Sequence, residues 1–318
     1  MRTAAETRSV DPMALDVRGA LKEGMARLRA AQIPSSTLAA ELLLMHALGR
    51  DRTWLYTNPE AALDPTQSEK YFALVARRAA GEPTQYLTGK QEFWGLEFEV
   101  TPAVLIPRPE TEHVIEVALE RLGPRGIKID MVTGAPSPRL RIADVGTGSG
   151  CLAVALAHEL PHADVFATDI SASAIEVARR NASRHGVADR IHLLQTNLLE
   201  AVLHQSLLTN HQSQSFDLIV SNPPYVARSE AATLPREVRD HEPHEALFGG
   251  PTGVEIYSRL IEQSGSLLRE GGILVLELGY NAADEVRRMF HVQPGWVNVS
   301  ITNDLAGIPR VLAAERRA

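Results

Sequence analysis

The sequence predicts an α/β protein in two parts: an all-helical domain over 1–83, then a parallel sheet with helices on both faces over 108–318, with a β-hairpin linker over 84–107 between them. Three observations predict it. Before residue 83, apolar residues recur at helical spacing with almost no strand pattern. After residue 108, apolar runs of strand length alternate with helical patterns, which is the signature of a parallel sheet. One strand-to-helix transition carries three glycines in five residues, Gly146-Thr147-Gly148-Ser149-Gly150.

In the helical part, Val17, Leu21, Met25 and Leu28 mark a first helix. Leu38, Leu42 and Met45 mark a second, with Gly49 placed to cap it. A third starts at Asp64-Pro65, places Phe72 and Val75 inward and stops before Gly81. Phe93, Leu96, Phe98 and Val100 alternate about Gly95 as a hairpin does. A helix at 110–122 follows, then strands near 140–145, 163–168, 190–194, 216–221 and 272–278, with helices at 151–159, 171–184 and 253–268. Polar stretches at 123–138 and 203–215 read as surface loops without a chemical motif. The Arg77-Arg78 and Arg179-Arg180 pairs read as solvated helix faces, and the mixed-charge segment 228–245 as a lid.

At 318 residues, 44% hydrophobic and 22% charged, the chain can bury two cores and is not disordered, collagenous or a coiled coil. Its 32 basic and 39 acidic side chains leave a net charge of −7, so no long-range basic field favours a nucleic-acid substrate. The lone cysteine, Cys151, excludes a disulfide scaffold and a cysteine-based metal cluster, and the 11 histidines lack metal-ligand spacing. No metal is expected. Neither a run of 18 apolar residues nor a secretion signal is seen, so the expected compartment is the cytoplasm, away from membranes.

Glycines are needed where a backbone must turn sharply and lie against a ligand. The apolar strand ending at Val145 feeds the 146–150 loop, and Leu152, Val154 and Leu156 open the next helix. A dinucleotide fingerprint would place its third glycine at 151, which is Cys. The shorter spacing favours S-adenosylmethionine, with a nicotinamide cofactor as the alternative. Nineteen residues past Gly150, Asp169 ends the next strand, where a carboxylate can accept from both ribose hydroxyls.

After the strand Phe216–Val220 comes Ser221-Asn222-Pro223-Pro224-Tyr225. Two prolines stiffen the turn and remove donors, leaving acceptors at the C-terminal edge of the sheet. The Asn222 side-chain oxygen and the Pro223 carbonyl can receive the two N–H groups of a planar amide or exocyclic amine, and the Tyr225 ring can cover its face. The pattern points to methyl transfer onto a planar nitrogen. A nucleobase methyltransferase and a catalytically silent docking module are the competing readings.

Taken together, Pro83 to Gly89, Phe93-Trp94-Gly95, Val104 to Glu112 (Val-Leu-Ile-Pro-Arg-Pro-Glu-Thr-Glu), Asp144 to Gly150 and Asn222 to Tyr225 resemble the release-factor glutamine methyltransferases, the PrmC/HemK type. Glu242-Pro243, Leu276-Glu277-Leu278-Gly279 and Asp304, Gly307 and Arg310 extend the resemblance over about 15–312. It implies a Rossmann-like, seven-stranded methyltransferase domain, a helical substrate-docking domain, and transfer of a methyl group from S-adenosylmethionine to the N5 side-chain amide of the glutamine in the Gly-Gly-Gln motif of class I peptide-chain release factors. By the same resemblance Gly146, Thr147, Gly148, Ser149, Gly150, Asp169 and Asn197 hold the cofactor, bordered by Arg108, Pro109, Glu110 and Thr111. Asn222, Pro223, Pro224 and Tyr225 hold the glutamine, with Asn222 also touching the cofactor. Two departures stand out: Asn197-Leu198 where an acidic residue is common, and Ala282 where a glutamine is.

Overall fold

In the computed structural model, residues 15–123, 139–209 and 215–317 are described. The chain divides by its internal contacts between Gly89 and Lys90.

The first unit holds α1 (Val17–Ala30), α2 (Ser36–Leu48), α3 (Arg52–Thr57), α4 (Pro65–Ala79) and α5 (Thr84–Thr88). Its starts are local chemistry: the Asp16 carboxylate accepts from the Gly19 N–H at 2.7 Å. Asp64 and Gln67 cap α4 reciprocally, with Pro65 at the first helical position. Val17, Ala20 and Leu28 of α1, Leu43 and Leu44 of α2, and Tyr71 and Val75 of α4 form the core.

The expected stripe on α2 is displaced. Leu38 is 48% exposed and Leu42 and Met45 are half-buried, while Ala39, Ala40, Leu43, Leu44 and Ala47 face inward. A helix apolar on nearly every side offers several candidate faces, and packing against its neighbours selects among them. On α4, Tyr71 rather than Phe72 is the fully buried ring. Arg78 is buried too, donating to the Gly81 and Glu82 carbonyls instead of lying on a solvated face. Within the expected linker, α5 buries Thr84, Tyr86 and Leu87, and Leu87 joins the helical core. The helical unit therefore runs to Gly89.

The second unit opens with the hairpin β1 (Lys90–Phe93) and β2 (Leu96–Glu99), in which Phe93 pairs with Leu96. A 3₁₀ turn at Pro109–Thr111 leads into α6 (Glu112–Leu122). Then come β3 (Leu140–Val145), α7 (Cys151–Glu159), β4 (Ala163–Asp169), α8 (Ala172–Arg184), β5 (Ile191–Gln195), α9 (Glu200–Thr209) and β6 (Phe216–Ser221). The short β7 (Val226–Ala227), α10 (Arg236–His241), α11 (His244–Leu247) and β8 (Phe248–Gly250) precede α12 (Glu255–Leu267), β9 (Leu268–Glu277), α13 (Ala283–Val292), β10 (Trp296–Asn303) and β11 (Pro309–Arg316). The stretch expected as a loop from 203 is helical through Thr209. Of the loop expected at 123–138, residues 124–138 lie outside the described residues, as do 210–214 of the second.

Seven strands form one sheet in the order β10-β11-β9-β6-β3-β4-β5, with β11 antiparallel to both neighbours and the other pairs parallel. Alternate residues feed two cores. Ile142, Val165, Leu218 and Val275 face α6 and α7, whereas Ala143, Val145, Ile219 and Leu274 face α12 and α13. Strand order reverses between β3 and β6, so the chain leaves the sheet in opposite directions there and opens a crevice at the C-terminal edge. Among the described residues no helix is long and apolar enough to cross a membrane.

A Cβ built at Gly24 in α1 falls 1.9 Å from the Tyr71 hydroxyl oxygen and 2.8 Å from Cζ. Tyr71 is fully buried and cannot swing away. Gly24→Ala would gain about 1 kcal/mol of helix propensity, against about 1–3 kcal/mol for overpacking. The expected outcome, read by denaturant unfolding, is a net loss of stability.

Candidate active site

The glycine loop and the acceptor turn meet at that reversal. Gly146, Thr147, Gly148, Ser149, Asp169, Asn197, Asn222, Pro224 and Thr111 line one cavity of about 570 Å³. Ala103–Leu105, Pro107, Arg228, Ala231, Pro243–Ala246 and Phe248 also line it. Segment 228–245, expected as a lid, thus contributes wall residues.

The loop is braced from below. The Gly146 and Thr147 N–H groups donate to the Thr168 carbonyl at 2.8 and 2.9 Å. Gly148, at φ +54°, donates its N–H to Asp169 Oδ2 at 2.9 Å, and a Cβ there would project into open space. Gly150, at φ +82°, packs so closely on α8 that a Cβ would lie 3.2 Å from Ala178 Cα. It supports the loop rather than the cavity. Asp144, buried at the end of β3, accepts from the Thr147 hydroxyl at 2.6 Å and the Ala153 N–H at 3.1 Å. Burial pushes its carboxyl up to about 7. Cys151 lines the cavity as a neutral thiol, pushed by burial up to about 12.

Asp169 accepts one backbone N–H on each carboxylate oxygen, from Gly148 and Ser171, and burial raises its carboxyl. Each oxygen keeps lone-pair capacity toward the cavity. Asn197 lines the wall with its amide nitrogen donating to Glu200 at 3.2 Å, beside Leu198 in the left-handed region at φ +52°.

Asn222 donates Nδ2–H to Thr111 Oγ1 at 3.0 Å, which leaves its carbonyl oxygen to accept. Pro223 is buried behind it. The Tyr225 ring does not line the cavity. It packs where a Cβ on Gly279 would come within 3.0 Å of it, and its hydroxyl donates to Glu277 Oε1 at 3.4 Å. Of the four residues 108–111, Thr111 reaches the cavity, Pro109 and Glu110 are exposed, and Arg108 pairs with buried Glu242, which also accepts from the Ile106 N–H.

Sequence reasoning missed Asn181. Fully buried on α8, it accepts from the Glu99 N–H at 2.8 Å and donates to the Glu99 and Ser149 carbonyls at 3.0 and 2.8 Å, tying hairpin to glycine loop. Its signal was an amide on the apolar face Ala174, Ala178 and Ala182. Arg180, read as solvated, pairs with Glu99 of the same hairpin at 2.8 Å. Among the described residues, no group of three or more His, Cys, Asp or Glu side chains is placed to hold a metal.

Residues 19–89 match the PrmC N-terminal domain and residues 131–237 the methyltransferase small domain. The release factor glutamine methyltransferase of Koribacter versatilis is 43% identical over 302 residues, 95% of this chain and 99% of that one. The chain belongs to the release factor glutamine methyltransferases. The family's Chlorobaculum tepidum member is 43% identical over 293 residues, 92% of this chain and 95% of its own. As a member of this family the protein is a methyltransferase enzyme. In fold it resembles the hMettl16 catalytic domain, at a TM-score of 0.53 and 19% identity over 77% of this chain and 81% of that one.

Asn181→Ala removes the partner of three backbone groups, one buried at Ser149 and two half-buried at Glu99. Loss of about 2–3 kcal/mol of stability is expected by denaturant unfolding, with faster amide exchange at Gly148 to Cys151.

Proposed function

We propose that the protein transfers a methyl group from S-adenosylmethionine to the side-chain amide nitrogen of the Gly-Gly-Gln glutamine in class I release factors. The observation that carries the proposal is the Asn222 amide, held by Thr111 at the rim of a cavity it shares with the glycine loop and Asp169. Its relatives are named release factor glutamine methyltransferase, which supports a release-factor glutamine as the acceptor.

The residues fit the cofactor. Exposed backbone at Gly146 and Gly148 is open enough for a ligand to lie against it, since a Cβ there would meet nothing within 4 Å. Asp169 offers two oxygens to a ribose diol, Asn197 and Leu198 border the adenine end, and Thr147 and Ser149 shape the floor. When bound, S-adenosylmethionine supplies a methyl group made electrophilic by a sulfonium. The chain's part of the chemistry is to align and polarise the acceptor, and the methylated nitrogen then gives up one of its two protons to solvent.

An amide nitrogen is a poor nucleophile because its lone pair is delocalised. Asn222 Oδ1 and the Pro223 carbonyl accept its two N–H bonds, fix its plane and strengthen their hold as positive charge grows on the nitrogen. Pro223 and Pro224 keep this turn rigid. The 228–245 segment walls the cavity, and the helical unit supplies docking surface for a protein substrate, because one glutamine offers too little contact for selection.

Incubation with labelled S-adenosylmethionine and either intact release factor, the factor with its motif glutamine replaced, or RNA tests this reading. One methyl on the glutamine of the intact factor is expected. Label on RNA, or on the replaced factor, would overturn it. Asn222→Ala is expected to lower single-turnover methylation at least about a hundredfold while calorimetric affinity for S-adenosylmethionine stays within a few-fold. Asp169→Ala is expected to do the reverse, weakening the cofactor by about 1.5–3 kcal/mol.

A further inference from the structure

We propose that Arg108 and Glu242 are positioning residues for methyl transfer, whose ion pair closes a ring of three segments around the acceptor turn and so fixes where that turn presents the glutamine. The inference rests on the reading of the 222–225 turn given above and adds two residues that do not themselves line the cavity.

The acceptor turn has neighbours from two distant parts of the chain. On one, Thr111 Oγ1 accepts from Asn222 Nδ2 at 3.0 Å, and the Thr111 N–H donates to the Arg108 carbonyl at 3.0 Å. The other is β8 with the residues that follow it. A Cβ on Gly249 would fall 2.4 Å from the Pro224 carbonyl oxygen, and one on Gly253 would fall 2.4 Å from that of Tyr225. β8 also pairs with β7, which starts at Val226, directly after the turn. Two segments thus hold the turn, one through a side-chain amide and the other through bare backbone. Neither contact joins these two segments to each other.

Glu242 makes that join. Its Oε2 accepts from the Ile106 N–H at 3.3 Å and its Oε1 from the Arg108 guanidinium, so one carboxylate holds the 106–108 stretch at two points. The residues after it, Pro243 to Ala246, line the cavity together with Pro107 and Thr111, and the chain then runs into β8. The ring is closed: 106–111 to the acceptor turn, the turn to 248–253, and 242 back to 106–108. With that last contact missing, the two outer segments could hinge about the turn independently.

Net stability is a poor account of the pair. The Glu242 side chain is 1% exposed and that of Arg108 33%, so the carboxylate has lost its hydration and the guanidinium much of its own. Burial raises the Glu242 carboxyl, and the charge of Arg108 opposes that rise. A buried ion pair gains little over a neutral, well-packed pair of similar volume, whereas its charge-assisted hydrogen bonds set distance and direction. What it supplies is geometry, beside a turn where a small misplacement lowers the rate steeply.

Arg108→Met combined with Glu242→Gln replaces the pair by neutral side chains of similar length, leaves no unpaired charge and keeps an acceptor for the Ile106 N–H. With release factor and S-adenosylmethionine both saturating, single-turnover transfer by this double variant is expected to fall about 10- to 100-fold. The release-factor concentration giving half the maximal rate and the calorimetric affinity for S-adenosylhomocysteine are each expected to stay within about threefold, and the urea midpoint to stay near that of the wild type. Each single variant breaks the same contact, so the double variant is expected to be no slower than the slower single one. Transfer at the wild-type rate, losses that multiply, or a fall accounted for by cofactor affinity would overturn the proposal. Glu242→Gln alone leaves only the partly exposed charge of Arg108 and carries the same expectation, so a double variant that does not fold leaves the test intact. A readout free of substrate accompanies these: amide exchange at Ile106 and Thr111 should be faster in the variants, with the β3 and β4 amides unchanged. Equal exchange would overturn the ring even where transfer falls. A wild-type enzyme that leaves release factor unmethylated would instead overturn the functional reading, and the exchange comparison would still decide whether the ring exists.

Discussion

The site depends on a topological constraint. A parallel sheet extended outward from β3 in both directions must send successive crossovers to opposite faces, because the connections are right-handed. Between β3 and β6 the two directions part, and the loops that follow those strands are left with no crossover covering them. Gly146 to Gly150 and Asn222 to Tyr225 are those loops. Neither could serve elsewhere in the fold, since away from the reversal a helix would pack over the same edge.

Around that crevice, buried polar side chains rather than apolar packing set the fine geometry. Asp144, Asp169, Asn181 and Glu242 each accept a backbone N–H from another segment, 9, 21, 82 and 136 residues away, and each lies buried or largely so. A backbone N–H donated to a carboxylate fixes a loop more sharply than a contact between methyl groups, because hydrogen bonding is directional. The cost is carboxylates held in low-dielectric surroundings. Burial raises all three of Asp144, Asp169 and Glu242, and Glu277 with them.

Much of this was legible in the sequence because the signals are local. Glycine spacing at 146–150, the acid after the next strand and the paired prolines at 223–224 each dictate a backbone outcome within a few residues. Faces were harder to read. The α2 segment is apolar on nearly every side, so its buried stripe is chosen by neighbours, and Tyr71 displaced Phe72 for the same reason. Of the unmarked C-terminal elements, β10 is the edge strand, and with one wet face its alternation is weak. Tyr225 was expected over the substrate, but the absence of a side chain at Gly279 makes room for its ring beneath the turn. No local pattern reports a vacancy 54 residues away. Glu277 and Asn181 did leave a trace, as polar residues on otherwise apolar faces: Glu277 accepts from Tyr225 of the acceptor turn, and Asn181 ties the hairpin to the glycine loop.

In the proposed reaction the Asn222 oxygen, left free by the Nδ2 bond to Thr111, receives the amide to be methylated. A crystal structure of the protein with S-adenosylhomocysteine and a peptide containing Gly-Gly-Gln tests it directly. The glutamine side-chain nitrogen is expected at about 2.7–3.2 Å from Asn222 Oδ1, with Nδ2 still on Thr111. A glutamine bound away from the 222–225 turn, or an Asn222 turned so that Nδ2 faces the substrate, would contradict it.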